Sequence, residues 1–234
     1  MEKNIIITGA SKGLGKAMAL RLAEPGAQLI LCARNQSALE ATAREIRSAV
    51  PGVLVSTQSA DLADPQQVRR FADFALSVGT PQILINNAGS FLPGNVHDEA
   101  PGVLEQMMAI NLYSAYQLTR ALLPAMMQAK AGHIFNVCSI ASLKPYAHGG
   151  GYSISKYALH GFSQNLREEM KPFGIKVTGV YPGAVMTDSW GDFDNSQHRI
   201  MEATDVAEMI WAATRLSAQA VVEDIVLRPQ LGDL

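Results

Sequence analysis

Apolar residues along this chain fall into short continuous runs, separated by longer segments with a helical period. Runs of strand length occur at residues 4–8, 28–33, 52–57, 82–86, 132–138, 174–181 and 221–227. Between them, apolar residues recur at spacings of three and four, which predicts helices. Strands that are apolar at consecutive positions are typical of a parallel sheet covered on both faces. The pattern therefore predicts an α/β fold, a doubly wound parallel sheet of about seven strands with helices on both faces.

Glycine and proline punctuate this pattern where helices should end, at residues 24–26, 51–52, 79–81 and 171–174. No linker, repeat or low-complexity segment divides the chain, so we expect one domain over residues 1–234. The longest region without signals for regular structure is 182–198. Because long loops in compact domains are often functional, we expect this region to be a substrate loop.

Composition and charge narrow the class of protein. Hydrophobic residues make up 48% of the 234 positions, which suits a globular core and excludes a disordered or disulfide-dense chain. The 19 basic and 21 acidic residues are scattered, so no nucleic-acid partner is expected. No apolar stretch approaches the roughly 18 residues of a membrane span, and the N-terminal apolar run is too short for a secretory signal. We expect a cytoplasmic protein with a small-molecule substrate and no metal site.

The two cysteines are expected to stay unpaired. In the usual 3-2-1-4-5-6 strand order, Cys32 ends the second strand and Cys138 the fifth. Three inter-strand spacings, about 14 Å, would then separate them. A disulfide requires Cα atoms within about 7 Å, so both thiols should be free.

A glycine-rich turn follows the first predicted strand and opens the first helix. It reads Thr-Gly-Ala-Ser-Lys-Gly-Leu-Gly over residues 8–15. A turn at this place lets backbone N–H groups approach a pyrophosphate, and the helix N-terminus adds its positive dipole end. The alternative is a strand–helix turn that needs glycine for its conformation alone.

The same residues permit a second interpretation. Residues 9–13 match G-x-S-x-G, the nucleophile elbow of α/β-hydrolases, and residues 148–151 spell H-G-G-G, an oxyanion-hole motif. In that fold the H-G-G-G loop precedes the nucleophile along the chain. Because the order is reversed in this sequence, we discount a hydrolase.

Several motifs together resemble the short-chain dehydrogenase/reductase family over nearly the whole chain. T-G-x-x-x-G-x-G lies at residues 8–15, N-N-A-G at 86–89 and Y-x-x-x-K at 152–156. Ser139 lies thirteen positions before Tyr152, and Asn111 occupies the family's fourth-helix asparagine position. The resemblance implies a Rossmann fold, a nicotinamide cofactor and the catalytic residues Asn111, Ser139, Tyr152 and Lys156.

The residue types fit acid–base chemistry on a carbonyl. Tyr152 and Lys156 are four apart on a predicted helix and share one face. A free phenol has a pKa of about 10, and an ammonium at about 4 Å is worth about 4 kcal/mol, so we expect the pKa of Tyr152 to be lowered towards the working pH. Ser139 would donate a hydrogen bond to the substrate oxygen.

The resemblance adds two further roles at this site. It implies that Lys156 also holds the ribose hydroxyls of the cofactor. It also implies that Asn111 supports a water that relays protons from Lys156 to solvent. For Asn111 alone, a buried polar or helix-kinking role remains the alternative.

The end of the second strand indicates which nicotinamide cofactor binds. An NAD site would place an acid there to bond the ribose 2′-hydroxyl, but the sequence reads Cys-Ala-Arg-Asn over residues 32–35. Arg34, with Lys12 in the glycine turn, supplies two cations for a 2′-phosphate. The prediction is NADP(H), the alternative being that both are solvated surface charges.

The remaining cofactor contacts are implied by the resemblance. Asp61 and Leu62 would lie at the adenine, Asn87 to Gly89 along the adenosine ribose, and the P-G-x-x-x-T segment 182–187 at the nicotinamide. The full set of predicted cofactor-binding residues is Gly9, Ser11, Lys12, Gly13, Leu14, Gly15, Arg34, Asn35, Asp61, Leu62, Asn87, Ala88, Gly89, Tyr152, Lys156, Pro182, Gly183, Val185 and Thr187.

Substrate selection is the least defined part of the site. Tyr146 and Trp190 are candidates for stacking on a cyclic substrate, or they are packing residues. The chain's ending after the last strand resembles bacterial sepiapterin-reductase-like members more than 3-oxoacyl-carrier-protein reductases. A 3-oxoacyl-thioester reductase and a catalytically idle NADP-binding sensor stay as alternatives. The family resemblance also implies a homodimer or homotetramer, paired through helices near 103–129 and 151–171.

Overall fold

The structure is a computed structural model that describes residues 3–233, and its centre is one parallel sheet. The strands are β1 (Asn4–Thr8), β2 (Gln28–Ala33), β3 (Leu54–Ser59), β4 (Ile83–Asn86), β5 (Gly132–Val137), β6 (Ile175–Pro182) and β7 (Asp224–Leu227). Their order is β3-β2-β1-β4-β5-β6-β7, and every neighbouring pair is parallel. The doubly wound, seven-stranded single domain predicted from the sequence is confirmed.

Helices cover both faces of the sheet. They are α1 (Gly13–Leu22), α2 (Gln36–Ala49), α3 (Pro65–Val78), α4 (Val103–Met108), α5 (Ser114–Ala129), α6 (Gly150–Met170) and α7 (Ala203–Thr214). A π-helical turn over Ala109–Tyr113 joins α4 to α5. No helix within residues 3–233 is long and apolar enough to cross a membrane.

Alternation along the strands divides the core between the two faces. Ile5 and Ile7 of β1 pack in one cluster, with side chains of α1, α2 and α7. Ile6, between them, packs in the opposite cluster with side chains of α3, α5 and α6. Because neighbouring strand residues point to opposite faces, a strand that is buried on both sides favours apolar residues at consecutive positions, as Ile5, Ile6 and Ile7 show.

The strand limits differ from the prediction mainly at the two edges of the sheet. β3 lies two residues later than predicted, and β7 begins at Asp224 rather than at residue 221. The edge strands are only partly buried, with Leu54 and Val226 half exposed. Hydrophobic runs define strand limits less sharply where one side of the strand faces solvent.

Two segments connect the sheet to the site without extended regular structure. The longest is 87–102, between β4 and α4, which contains neither helix nor strand. The predicted loop 182–198 instead begins in β6 and contains a short 3₁₀ helix, Asp188–Trp190, and Val185 forms a parallel bridge with Met201. The sequence prediction that 182–198 is the longest irregular region is therefore wrong.

Both cysteines are buried and free, as expected. Cys32 lies on β2 and Cys138 directly follows β5, with β1 and β4 between these strands. Burial raises the pKa of Cys32 to about 12 and that of Cys138 to about 11. Both are therefore neutral thiols at physiological pH.

Candidate active site

The candidate site lies at the carboxyl edge of the sheet, where the chain leaves β1, β4, β5 and β6. In open α/β sheets this edge, at the point where the strand order reverses, forms the ligand crevice. The reversal here lies between β1 and β4. The glycine turn, the segment 86–89, Ser139 and the segment 182–187 all follow these four strand ends.

The Thr8 side chain joins the glycine turn to the segment after β4. Its hydroxyl accepts hydrogen bonds from the backbone N–H groups of Asn87 and Ala88, both at 2.9 Å, and donates to the carbonyl of Ile85 at 3.3 Å. The Asn87 amide donates in return to the Thr8 carbonyl at 2.9 Å. Thr8 is 2% exposed, so these bonds hold the glycine turn and the segment after β4 in a fixed relation. From the sequence, Thr8 was predicted only as the first residue of the glycine-rich motif, and this bracing role was not predicted.

The glycines of the turn are required by close backbone approach. A Cβ on Gly15 would overlap the Gly9 carbonyl, and one on Gly9 would lie 2.9 Å from the Asn87 amide nitrogen. Gly13 has a φ of +53°, and a Cβ added to it would lie 3.3 Å from the Cβ of Thr187. No side chain caps the start of α1 within residues 3–233. Bare N–H groups at a helix N-terminus beside a glycine turn fit a pyrophosphate.

The two predicted phosphate-binding cations differ in their surroundings. Arg34 follows β2, is exposed and has no ion-pair partner among residues 3–233. The Lys12 ammonium lies 3.9 Å from the Asp188 carboxylate, with both side chains largely exposed. Such a pair contributes little and leaves Lys12 free to reorient. Asn35, also predicted to contact cofactor, uses its side-chain oxygen to cap α2, accepting from Ala38 N–H at 3.0 Å.

Lys156 is the most deeply enclosed charge carrier of the site. It is 6% exposed, and its ammonium donates a 2.8 Å hydrogen bond to the carbonyl of Val137, at the end of β5. Burial lowers the pKa of Lys156 to about 8. The same nitrogen lies 5.9 Å from the centre of the Tyr152 ring. Lys156 and Tyr152 thus share one face of α6, as their spacing predicted.

The expected lowering of the Tyr152 pKa is wrong for the structure as it stands. Burial raises the pKa of Tyr152 above its usual value, the Ser139 hydroxyl lowers it in part, and the Cys138 sulfur raises it further. The attraction of Lys156 can be predicted from the sequence spacing, whereas the loss of water around the phenol follows only from the folded surroundings. Desolvation disfavours the phenolate, so Tyr152 keeps its proton at neutral pH.

Asn111 lies in the π-helical turn and reaches the region between Gly89 and Lys156. Its carbonyl oxygen accepts from Ser90 N–H at 2.9 Å, and its amide donates to the Ser90 carbonyl and the Ser155 hydroxyl, each at 3.0 Å. A Cβ on Gly89 would lie 2.8 Å from the Asn111 oxygen and 3.6 Å from the Lys156 nitrogen. π-turns are frequent at functional sites, and this one places the Asn111 side chain in hydrogen-bond contact with Ser90 and with Ser155 of α6.

The two predicted substrate residues occupy different places. Tyr146 is 44% exposed. Partial burial, with a smaller contribution from the charge of the Tyr152 phenol, raises the pKa of Tyr146 to about 12. Trp190 packs on Phe193, with ring centres 5.1 Å apart. Phe91, which was not predicted as a site residue, packs edge to face on Tyr152, with ring centres 4.9 Å apart. Its signal was an aromatic residue two positions after Gly89.

The other predicted contacts lie along the same crevice or beneath it. Asp61 follows β3, with its carboxylate accepting from Ala63 N–H at 3.1 Å, whereas the Leu62 side chain is buried in the core. Gly183 donates its N–H to the Leu227 carbonyl at 2.7 Å. Val185 is buried against the core cluster of α1 and α7. Leu14 packs on that cluster, and the Ser11 carbonyl accepts from the Thr42 hydroxyl at 3.1 Å.

Sequence comparison identifies the family. The short chain dehydrogenase model matches residues 3–198. A sepiapterin reductase of Chlorobaculum tepidum is 33% identical to this chain, over all of it and 99% of the relative. The chain belongs to the short-chain dehydrogenase family and is therefore an oxidoreductase.

Solved structures show the same architecture. A metagenomic short-chain oxidoreductase in complex with NADP matches with a TM-score of 0.85 and 32% identity, over 97% of each chain. An alcohol dehydrogenase from the archaeon Thermococcus sibiricus, complexed with 5-hydroxy-NADP, matches with a TM-score of 0.92 and 25% identity, over all of this chain and 99% of that one. These likenesses agree with the seven-stranded parallel sheet and its flanking helices.

Proposed function

We propose that this protein is an NADP(H)-dependent carbonyl reductase in which Tyr152 is the general acid. The observation that carries the proposal is the convergence of three side chains at the end of β5. Ser139 interacts with Tyr152, and Lys156 is anchored on Val137, two residues before Ser139. This arrangement places a hydroxyl donor, a protonated phenol and a buried amine in one crevice.

The protonation states of the site residues suit reduction of a carbonyl. A carbonyl being reduced needs a proton at its oxygen, and the raised pKa keeps the Tyr152 phenol in its donating form. The Ser139 hydroxyl would stabilise the charge that develops on the same oxygen. When bound, NADPH supplies the hydride. Lys156, with Asn111 beside it, would return a proton to Tyr152 after turnover.

Preference for the phosphorylated cofactor rests on the end of β2. Arg34 is exposed there with no ion-pair partner in the described part of the chain, and the exposed Lys12 lies in the glycine turn. A guanidinium presents paired donors that match the geometry of a phosphate. The complexes of the two solved relatives with 5-hydroxy-NADP and NADP agree with this preference.

Substrate, assembly and location complete the proposal. The substrate is a small carbonyl compound, or the corresponding alcohol in reverse, bound under the loop 182–198 beside Tyr146, with Trp190 on the loop itself. We propose a homodimer or homotetramer formed through the outer face of α4 to α6, which exposes the apolar residues Leu104, Tyr113, Ile154 and Tyr157. The free thiols of Cys32 and Cys138 fit a reducing, cytoplasmic setting.

A substrate panel tests the proposal. Wild-type protein is mixed with NADPH and, in turn, with diketones, pterins and acyl thioesters, and NADPH oxidation is followed by absorbance. We expect turnover of at least one carbonyl class, and none without added carbonyl. NADPH binding without turnover on any member of the panel would overturn the proposed activity.

A further inference from the structure

One sequence motif, the H-G-G-G run of residues 148–151, has no part in the proposed mechanism. In the structure it leads into α6 and directly precedes Tyr152. His148 has a φ of +61° and Gly150 a φ of +33°, so the chain bends sharply there. Positive φ is unfavourable for a residue with a side chain such as His148. Other contacts must therefore stabilise this bend.

The contact comes from Glu99, in the irregular segment 87–102. One oxygen of its carboxylate accepts a 2.8 Å hydrogen bond from the Gly151 N–H. A Cβ on Gly150 would overlap that oxygen, and a Cβ on Gly151 would lie 3.3 Å from the other. A Cβ on Gly94 would lie 2.7 Å from the Glu99 Cγ. The three glycines thus form a socket around one carboxylate.

This carboxylate supplies what the start of α6 lacks. The helix is 21 residues long, and its N-cap, Gly149, has no side chain to accept from the first turn. Glu99 acts as the cap from 52 positions earlier in the chain. Negative charge at a helix N-terminus is favourable, because it meets the positive end of the helix dipole and an otherwise unbonded N–H.

Two further contacts tie the same segment to the beginning of α6. Gly94 N–H donates to the His148 carbonyl at 3.1 Å. Phe91 packs edge to face on the Tyr152 ring, with ring centres 4.9 Å apart. The segment therefore touches the catalytic tyrosine directly at one point and holds its helical turn at two others.

We propose that Glu99 is a positioning residue, which fixes the first turn of α6 through the glycine socket and thereby sets the orientation of the Tyr152 hydroxyl. The inference rests on the proposed function for its effect on turnover, but the socket itself does not depend on it. A shift of about 1 Å in an acid–base group can cost on the order of 100-fold in rate. Loss of Glu99 should therefore act on the chemical step.

Three substitutions separate the parts of this contact. Glu99→Ala removes cap and charge, and we expect kcat to fall by about tenfold to 100-fold, with an unchanged Kd for NADPH. Glu99→Gln keeps an acceptor oxygen and should recover most of kcat. Glu99→Asp keeps the charge but shortens its reach, so kcat should lie between those of Glu99→Ala and Glu99→Gln. Glu169→Ala, which removes an exposed carboxylate from the other end of α6, should match wild type.

Hydrogen–deuterium exchange of residues 146–156 gives a readout that needs no substrate. We expect faster exchange there in Glu99→Ala than in wild type or Glu169→Ala. If wild type reduces no carbonyl, the proposed function fails while the exchange still tests the socket. Unchanged exchange in Glu99→Ala would overturn the inference. So would a Glu99→Ala variant that loses NADPH affinity and thermal stability but keeps the kcat of its folded fraction, because Glu99 would then be structural only.

Discussion

The proposed cofactor side and the proposed catalytic side of this crevice are built in different ways. On the cofactor side, residues at adjoining strand ends hold one another through backbone groups, with Thr8 bonding to the segment that follows β4. On the catalytic side, the first turn of α6 depends on Glu99, which approaches from a long irregular segment. The first arrangement follows from short motifs, and the second depends on a contact between distant parts of the chain.

The difference extends to electrostatics. The predicted phosphate-binding cations, Lys12 and Arg34, are exposed to solvent. Tyr152 and Lys156 are buried, and burial favours the neutral form of each side chain. It raises the pKa of the phenol and lowers the pKa of the amine. Residue type alone therefore describes the cofactor side better than the catalytic side.

The largest effect is expected from adding one methyl group to the glycine turn. Gly15→Ala would place a Cβ on the Gly9 carbonyl, and we expect a loss of about 3 kcal/mol in unfolding free energy with NADPH binding weakened by at least 100-fold. Chemical unfolding and a fluorescence titration with NADPH measure the two effects.

Gly161→Ala is the matched control, since a Cβ on Gly161 in α6 meets nothing within 4 Å. It should stabilise the protein by about 0.5–1 kcal/mol, as alanine does in a helix interior. Equal stability and equal NADPH affinity of the two variants would show that the turn is not closely packed. The contrast between the two sides of the crevice would then be lost.

The second effect tests the burial of Lys156 in the protein without cofactor. Its pKa is lowered from 10.5 to about 8 by burial, so between these values the unfolded chain holds a proton that the folded protein has released. The contribution of Lys156 to unfolding free energy should therefore rise with pH across this window, by about 3 kcal/mol in all. Below pH 8 Lys156 is protonated in both the folded and the unfolded protein, so burial of its ammonium lowers the unfolding free energy by the full amount.

Urea unfolding between pH 7 and 10.5 measures this change against Lys156→Met, which lacks the titrating group. Groups that do not interact with Lys156, such as Cys32, titrate in both proteins and cancel in the difference. The stability of wild type relative to the variant should increase with pH. Parallel curves would show that Lys156 is not desolvated as the structure indicates.

The smallest effect concerns the choice of cofactor. Arg34→Asp should move the ratio of kcat/KM for NADPH over NADH by about 10- to 100-fold towards NADH, because a carboxylate repels the 2′-phosphate and bonds the 2′-hydroxyl. Arg44→Asp changes the same charge at an exposed position on α2 and should leave the ratio unaltered. An unchanged ratio in Arg34→Asp would remove the basis for the NADP(H) assignment.

The fold was predictable from the sequence because its signals are local. Buried parallel strands favour apolar residues at consecutive positions, as in Ile5–Ile7 of β1 and Leu29–Ala33 of β2. The edge strands β3 and β7 were placed less well, because exposure on one side removes the constraint that makes a strand visible. The glycine turn was predictable for the same local reason, since close backbone approach at Gly15 excludes every side chain.

The catalytic geometry was only partly predictable. The spacing of Tyr152 and Lys156 was enough to place them on one helix face, because the period of a helix is fixed. The role of Glu99 and the contact of Phe91 with Tyr152 arise from tertiary packing of the segment 87–102, for which no periodic pattern exists. The direction of the Tyr152 pKa was wrong because a charge pair can be estimated from spacing, whereas the loss of solvent requires the folded surroundings.

The central claim, that Tyr152 is the proton donor in a working reductase, is tested most directly by Tyr152→Phe. Once the panel has identified a carbonyl substrate, kcat and the Kd for NADPH are measured on the same preparations of wild type and variant. We predict that kcat falls by at least 100-fold while Kd changes less than threefold. A variant that keeps the wild-type kcat would contradict the claim.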